Sequence, residues 1–534
     1  MKFKGPSQRN GSMDLTQTNQ KSLEIANTTG NGGNDENEER DWREMGFCTR
    51  VKYVFQNITV EPLLAFFQVS SVLSALTTQN LNLKKACRVN LQMDDEVCFG
   101  LENKNISSFV TEEVQVQQAV ADMLIWQTVI QSSIPCVLVI FIGSWSDRNR
   151  KRKPCMLVPV LGELMRNAGL LLCVFYFYEL PMEVAGLVES VPTSLTGGLT
   201  VLYLAAFSYM GDISSIKNRT LRVGLMNLFF GAAWPIGAAL SGILFQKYGF
   251  LGVYYISTVL YLLAGLYGLV RIKENPGPAV GAITNGSVDK TQKPCMYLIT
   301  DFFNMKHIRE ALRVTFKKGP RKRWVQLIML MFIIVVVQGP MQGEVAVGYY
   351  YARLRFNWNE VDYSIFSTFL FVINIVGVGF AIGVLSHTFK VDDAIIGVIS
   401  CSSKVLAGFA FAFAPTPFFF YMGAVVDIMS GSSYIVVRAI LSKIVPHEEL
   451  GQVSAIVAVI ETIVPVVYKP MYSAIYRITV EKFPGAFYVI GSVMLIPSIF
   501  LYWWMYRINM NKSSIKYFEG DDKLNEDVDI LKKS

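Results

Sequence analysis

The sequence predicts an all-α membrane protein of twelve membrane-crossing helices in two halves of six, and three observations predict it. First, 52% of its 534 residues are apolar and only 17% are charged, against about a quarter charged in soluble domains. Second, the apolar residues come in blocks: Trp324–Val337 and Phe487–Tyr506 carry no charge at all. A helix apolar all round needs a large core or a bilayer, and too few polar segments remain to clothe such a core. Third, a long basic segment falls midway between the blocks.

The elements follow in order. Residues 1–55, rich in Asn, Gly, Glu and Ser, read as a disordered tail. They lack the basic-then-apolar order of a signal peptide. Six spans are expected near 58–78, 119–142, 155–178, 193–212, 223–245 and 250–271, forming a bundle over 56–271 with an outer loop at 79–118. The segment 272–323 carries eleven basic against four acidic residues and reads as a linker. Six more spans follow near 325–350, 362–386, 393–413, 418–441, 452–475 and 486–507, a second bundle over 324–507, and 508–534 is a tail. Each span is long enough to cross about 30 Å of hydrocarbon. Pro235, Pro340, Pro465 and Pro470 lie inside spans, which membrane helices tolerate where they bend around a cavity. A basic linker between six and six is the layout of the major facilitator fold.

The net charge of +7 is a matter of topology, not of nucleic acid, because Lys and Arg cluster between apolar runs. Arg148–Lys153 holds five basic residues in six positions, whereas 179–192 has none and three Glu. Both termini are therefore expected in the cytosol. Cys87 and Cys98 share the long outer loop and are the disulfide candidate. Of several glycosylation sequons, the one at Asn105 sits well out on the expected lumenal side.

Charges within spans are costly and mark candidate sites. Glu344 lies in the seventh span, Asp427 and Arg438 in the tenth, and Glu461 in the eleventh. An anionic solute would suit Arg438, with a salt bridge to Asp427 or Glu461 as the structural alternative. A buried carboxylate takes up a proton readily, so Glu461 and Glu344 are candidate coupling groups, or else simple pairing partners. Glu163 and Arg166, three apart, read as a structural pair. Glu61, just before Pro62, is either a helix-start cap or a binding group. Tyr349, Tyr350, Tyr351, Trp126 and Trp234 are candidates for stacking on a ring-bearing solute. The chain has three His and shows no Walker loop, nucleophile elbow or metal-ligand cluster. Neither an enzyme nor a cofactor is expected.

Four stretches in order resemble the proton-coupled folate transporter family, which includes thymic stromal cotransporter-like members. They are Glu61-Pro62-Leu63 with Leu76-Thr77-Thr78-Gln79; Gly143-Ser144-Trp145-Ser146-Asp147; Asp212-Ile213-Ser214-Ser215 with Arg219-Thr220-Leu221-Arg222; and Arg438-Ala439 through Lys443 with Glu449 and Gly451. The resemblance spans about 58–507. It implies a conformational latch built from Gly143, Asp147, Arg152, Asp212, Arg219 and Arg222, and a substrate role for Arg438. The folate transporter's proton-linked Glu falls on Asn227 and its His on Gln338, neither of which titrates near neutral pH. The implied function is secondary transport of a small organic anion or amphipathic solute, driven by protons, by alternating access. The rival readings are an uncoupled facilitator and a non-transporting receptor or scaffold. The expected setting is the plasma membrane or a lysosomal membrane, the latter because Glu526–Leu531 resembles an acidic dileucine signal.

Overall fold

The computed structural model describes residues 58–103, 106–149, 151–213, 219–274, 323–445 and 447–508. From Val60 onward these belong to one compact unit. Both expected tails, most of the linker and Asn105 lie outside the described residues.

Twelve helices cross in order: α1 Glu61–Lys85, α2 Val110–Asn149, α3 Lys153–Phe175 and α4 Met182–Ile213. The stretch Arg219–Arg271 is continuous except at Gly249, whose φ of 63° and ψ of −163° divide it into α5 (219–248) and α6 (250–271). That backbone region is open essentially to glycine alone. The second half comprises α7 Arg323–Phe356, α8 Glu360–Thr388, α9 Asp393–Phe413, α10 Pro417–Ile444, α11 His447–Thr479 and α12 Ala486–Ile508. Among the described residues, ten stretches are both long and apolar enough to cross a bilayer, with α5 and α6 counted as one. The remaining crossing is α1. Its 25 residues span about 37 Å at 1.5 Å each, but Gln68, Ser70, Ser74, Thr77, Thr78, Asn80 and Asn82 lower its hydropathy.

Those polar groups are buried, and the hydroxyls among them are paired inside the first half. Ser70 Oγ bonds the Ser257 carbonyl at 2.7 Å, Thr78 Oγ1 and Tyr254 Oη share a proton at 3.0 Å, and Ser241 Oγ donates to Leu73 O at 2.9 Å. Small residues permit the approach: a Cβ on Gly237 would lie 2.9 Å from the Val69 carbonyl. α1 is thus the buried centre of its half, held by α5 and α6.

The halves meet where α2 packs on α11 and α5 on α8. Shifting by six exchanges α2 with α8 and α5 with α11, as expected of two repeats related by an axis along the membrane normal. Gly242 on α5 sits against the α8 backbone at Val361, and Trp234 stacks on Phe371 at 5.1 Å.

Two loops are shorter than the sequence predicts. α1 runs on to Lys85 and α2 begins at Val110, so the 79–118 loop contracts to about 86–109. It contains a short helix, Asp95–Glu102, tied by a Cys87–Cys98 disulfide. The 179–192 stretch, expected as the loop between the third and fourth spans, is largely the start of α4. The three consecutive tyrosines are no ligand platform either. Tyr349, Tyr350 and Tyr351 are at most 2% exposed and pack with Phe420, Phe487 and Tyr488 in an aromatic core. Three successive helical residues point about 100° apart, so they cannot all face one cavity.

Candidate functional site

Arg438 projects from the second segment of α10, Ser432–Ile444, toward α11. Its Nη2 donates to both oxygens of Glu461, at 2.8 and 2.7 Å, and its Nε donates to Tyr434 Oη at 2.9 Å. Tyr434 in turn donates to Glu461 at 2.9 Å. The Arg438 side chain keeps 41% exposure and Glu461 20%, so the pair faces open space rather than packed protein. Across that space, in the other half, Tyr203 on α4 donates to Asn227 on α5. Tyr203 also interacts electrostatically with Arg438 and Glu461. The arrangement can hold an anion: a guanidinium presents several donors to a carboxylate or sulfate.

A second cluster lies within the second half. Lys404 on α9 donates to Glu344 on α7 at 2.7 Å and to Asp427 on α10 at 3.4 Å. Asp427 stands where α10 breaks, in the tight turn Asp427–Met429 between Pro417–Val426 and Ser432–Ile444. It does not pair with Arg438, which takes Glu461 instead. Lys404 was not among the residues that sequence reasoning picked out. Its signal was available: it is the sole charge between Ala394 and Phe413.

A third cluster is structural. Arg166 binds Glu163 at 2.9 Å and Ser74 Oγ at 2.5 Å, while Tyr261 donates to Glu163 at 3.0 Å, all buried. It knits α3 to α1 and α6. Close by, Gln127 on α2 donates to Glu189 on α4 at 2.7 Å. Glu189 also interacts electrostatically with Lys469 on α11, across the divide. Sequence reasoning passed over both Glu189 and Lys469.

Toward the disulfide end the halves are bolted together. Arg353 on α7 donates to Glu113 on α2 at 2.8 Å and to the Leu101 carbonyl of the disulfide loop at 2.7 Å. Tyr476 on α11 donates to Gln117 on α2 at 2.6 Å, Gln117 donates to the Tyr350 carbonyl at 3.1 Å, and Arg477 pairs with Asp122.

The other predicted residues are placed as follows. Arg152 pairs with Asp212 at 2.9 Å and donates to Ser146 Oγ at 2.9 Å, joining the α2–α3 turn to the end of α4 within one half. Gly143 on α2 faces Leu204 of α4, where a Cβ would make an ordinary contact at 3.4 Å. The side chains of Asp147 and Arg219 lie outside the described residues, and Arg222 is half-buried. Glu61 is buried at the start of α1 and accepts from the Val60 backbone N–H at 2.9 Å. Gln338 is half-buried on α7. It lies six residues before Glu344, so it faces about 120° away from it.

The sequence profile described as the Major Facilitator Superfamily matches residues 96–424. The probable peptidoglycan muropeptide transporter of solute carrier family 46 from Drosophila melanogaster is 22% identical over 446 residues, covering 82% of this chain and 83% of that protein. The lysosomal proton-coupled steroid conjugate and bile acid symporter of Mus musculus is 26% identical over 404 residues, 75% of this chain and 83% of its own. The proton-coupled folate transporter of Rattus norvegicus is 22% identical over 364 residues, 67% and 73% respectively. Among solved structures, the human organic anion transporter MFSD10 aligns with a TM-score of 0.53 at 11% identity, over 83% of this chain and 98% of its own. A POT family peptide-conjugate complex aligns at 0.55 and 11%, over 84% and 96%. Identities this low speak for the fold alone.

Proposed function

Because this chain belongs to the Major Facilitator Superfamily, we propose that it is a proton-driven symporter that moves a small organic anion by alternating access. The superfamily and the relatives above are transporters, not enzymes. The observation that carries the reading is Arg438, held by Glu461 and Tyr434 yet left open toward the opposite half. A charge kept inside a membrane and partly exposed there has a use beyond locking two helices. An incoming carboxylate or sulfate replaces Glu461 on the guanidinium. The relatives' named solutes, steroid conjugates, bile acids and muropeptides, contain such groups, which supports an amphipathic anion as cargo.

Orientation belongs to the same proposal. The disulfide loop faces the lumen or exterior, where disulfides persist, and the basic Arg148–Lys153 turn faces the cytosol. The Glu113–Arg353 bolt then closes the outer side, and the structure corresponds to a carrier shut toward the lumen. Arg152–Asp212 acts as a brace of the cytosolic end of the first half. The mouse relative's lysosomal name favours an acidic compartment, whose lumen supplies the driving protons.

The test is uptake of a radiolabelled sulfated steroid into proteoliposomes at acidic and neutral outside pH. Acid is expected to stimulate the wild type. Arg438→Gln is expected to lower uptake at least about tenfold at either pH, equivalent to about 1.4 kcal/mol. Glu461→Gln, by removing the competitor, is expected to lower KM severalfold. Uptake indifferent to pH would remove the coupling and leave the uncoupled facilitator. An Arg438→Gln variant that transports normally would remove the anion role.

A further inference from the structure

Resting on the reading of the chain as a proton-driven carrier, we infer that the coupling proton is held by Asp427, in the Glu344–Lys404–Asp427 cluster at the break in α10. The cluster contains one cation and two carboxylates. Ionised, it carries one net negative charge. The other titratable groups facing it are Tyr363 on α8, Tyr472 on α11 and Tyr488 on α12, all neutral at physiological pH. No second cation among the described residues balances it. A net charge inside a membrane protein is expensive, and a buried carboxylate sheds that cost by binding a proton.

Geometry selects the oxygen. Lys404 leans on Glu344 at 2.7 Å and reaches Asp427 Oδ2 only at 3.4 Å. Asp427 Oδ1 is buried with no hydrogen-bond partner among the described residues. Ser430, its neighbour, already donates its hydroxyl proton to Asn374 Oδ1 at 2.9 Å. Ser430 Oγ is therefore left as an acceptor. A proton arriving from water on Asp427 Oδ1 forms an O–H that donates to Ser430 Oγ, and the 3.4 Å contact from Lys404 to Asp427 is released. Lys404 then pairs fully with Glu344, and the cluster is neutral. The Tyr472 hydroxyl, also buried and unpartnered, shares the space beside Glu344 at Gly491. A Cβ there would lie 2.5 Å from Tyr472 Oη and 3.7 Å from Glu344 Oε1.

The position of Asp427 connects this proton to the solute. The segment beyond the break, Ser432–Ile444, carries Tyr434 and Arg438. Rearranging hydrogen bonds at the break re-aims the guanidinium that binds the anion. Only the neutral cluster is suited to the closed, water-free intermediate, so proton and solute cross together.

The test uses the full-length protein. Infrared difference spectra of purified protein between acidic and neutral pH read a protonated carboxyl with no solute present. The wild type is expected to show a carboxylic-acid band that Asp427→Asn removes and Glu461→Gln retains; a band that survives Asp427→Asn overturns the inference. In proteoliposomes, Asp427→Asn is expected to lose at least tenfold of the sulfated-steroid accumulation driven by an acid-outside gradient. Lys404→Met supplies a second variant. It leaves two carboxylates without their cation, so the pH of half-maximal uptake is expected to rise by about one unit or more. An unmoved midpoint counts against the inference. A wild type that ignores pH defeats the carrier reading itself, whereas a pH-driven wild type matched by Asp427→Asn defeats only the assignment of the proton.

Discussion

At the scale of single residues, Glu113 and Arg353 show what a buried pair does in this protein. Their side chains are 1% and 7% exposed, and Arg353 also holds the Leu101 carbonyl. Removing one partner from such a pair strands a buried charge, at a cost of about 3–5 kcal/mol. Arg353→Leu is therefore expected to lower the thermal midpoint in detergent by several degrees, and Glu113→Leu in the same chain to restore much of the loss. A double variant no more stable than the single one would show that stranded charge is not the cause. The sequence made Arg438, Glu344 and Glu461 legible because a charge in an apolar run stands out. It did not reveal Lys404 as the partner of Glu344, and it left Arg438 with two candidates, Asp427 and Glu461. Lys404 meets Glu344 across 60 positions and Arg438 meets Glu461 across 23, and pairing at that range depends on how helices turn toward each other. Asp427, on the same helix as Arg438, was one of the two candidate partners but faces Lys404 on α9.

At the scale of elements, helix breaks and close crossings are set by glycine. A Cβ on Gly377 of α8 would lie 1.7 Å from the Ile428 carbonyl, inside the tight turn of α10, whereas Gly379 has nothing within 4 Å. Gly377→Ala is expected to push α8 from α10 and lower the thermal midpoint, while Gly379→Ala leaves it unchanged. Equal melting of the two variants would mean that the crossing relaxes freely. Helix number and approximate position were readable because blocks of about twenty apolar residues have few other uses. Helix ends were less so. The stretch 179–192, with three Glu and no basic residue, reads as a loop, yet Glu189 lies inside α4 and accepts from Gln127 of α2. The break that begins at Asp427 ends in Ser430-Gly431, a signal that the apolar-block reading passed over.

At the scale of the whole molecule, one end holds the halves together through α2, α7 and α11, while Arg438 and Glu461 lie farther in with part of their surface exposed. The two-half layout was legible because the basic linker marks the middle of the chain. Which helices form the divide was not, since α2·α11 and α5·α8 are distant in sequence and become neighbours only through the axis relating the halves.

The polarity of α1 bears on how the chain is made. During synthesis α1 leaves the ribosome before α5 and α6, whose Tyr254 and Ser257 later pair with its hydroxyls and whose Ser241 donates to its Leu73 carbonyl. Until then, Ser74, Thr77 and Thr78 have only the carbonyls of α1 itself as partners, and Gln68, Asn80 and Asn82 add further polar surface. α1 is thus expected to remain a lodger at the translocon, entering the bilayer fully only as part of a finished half. A reporter fused after α1 alone is expected to insert inefficiently, and one fused after α6 efficiently. Gln68→Leu with Asn80→Leu should rescue the short fusion while loosening the packed half. Efficient insertion of unaltered α1 alone would refute this order of assembly.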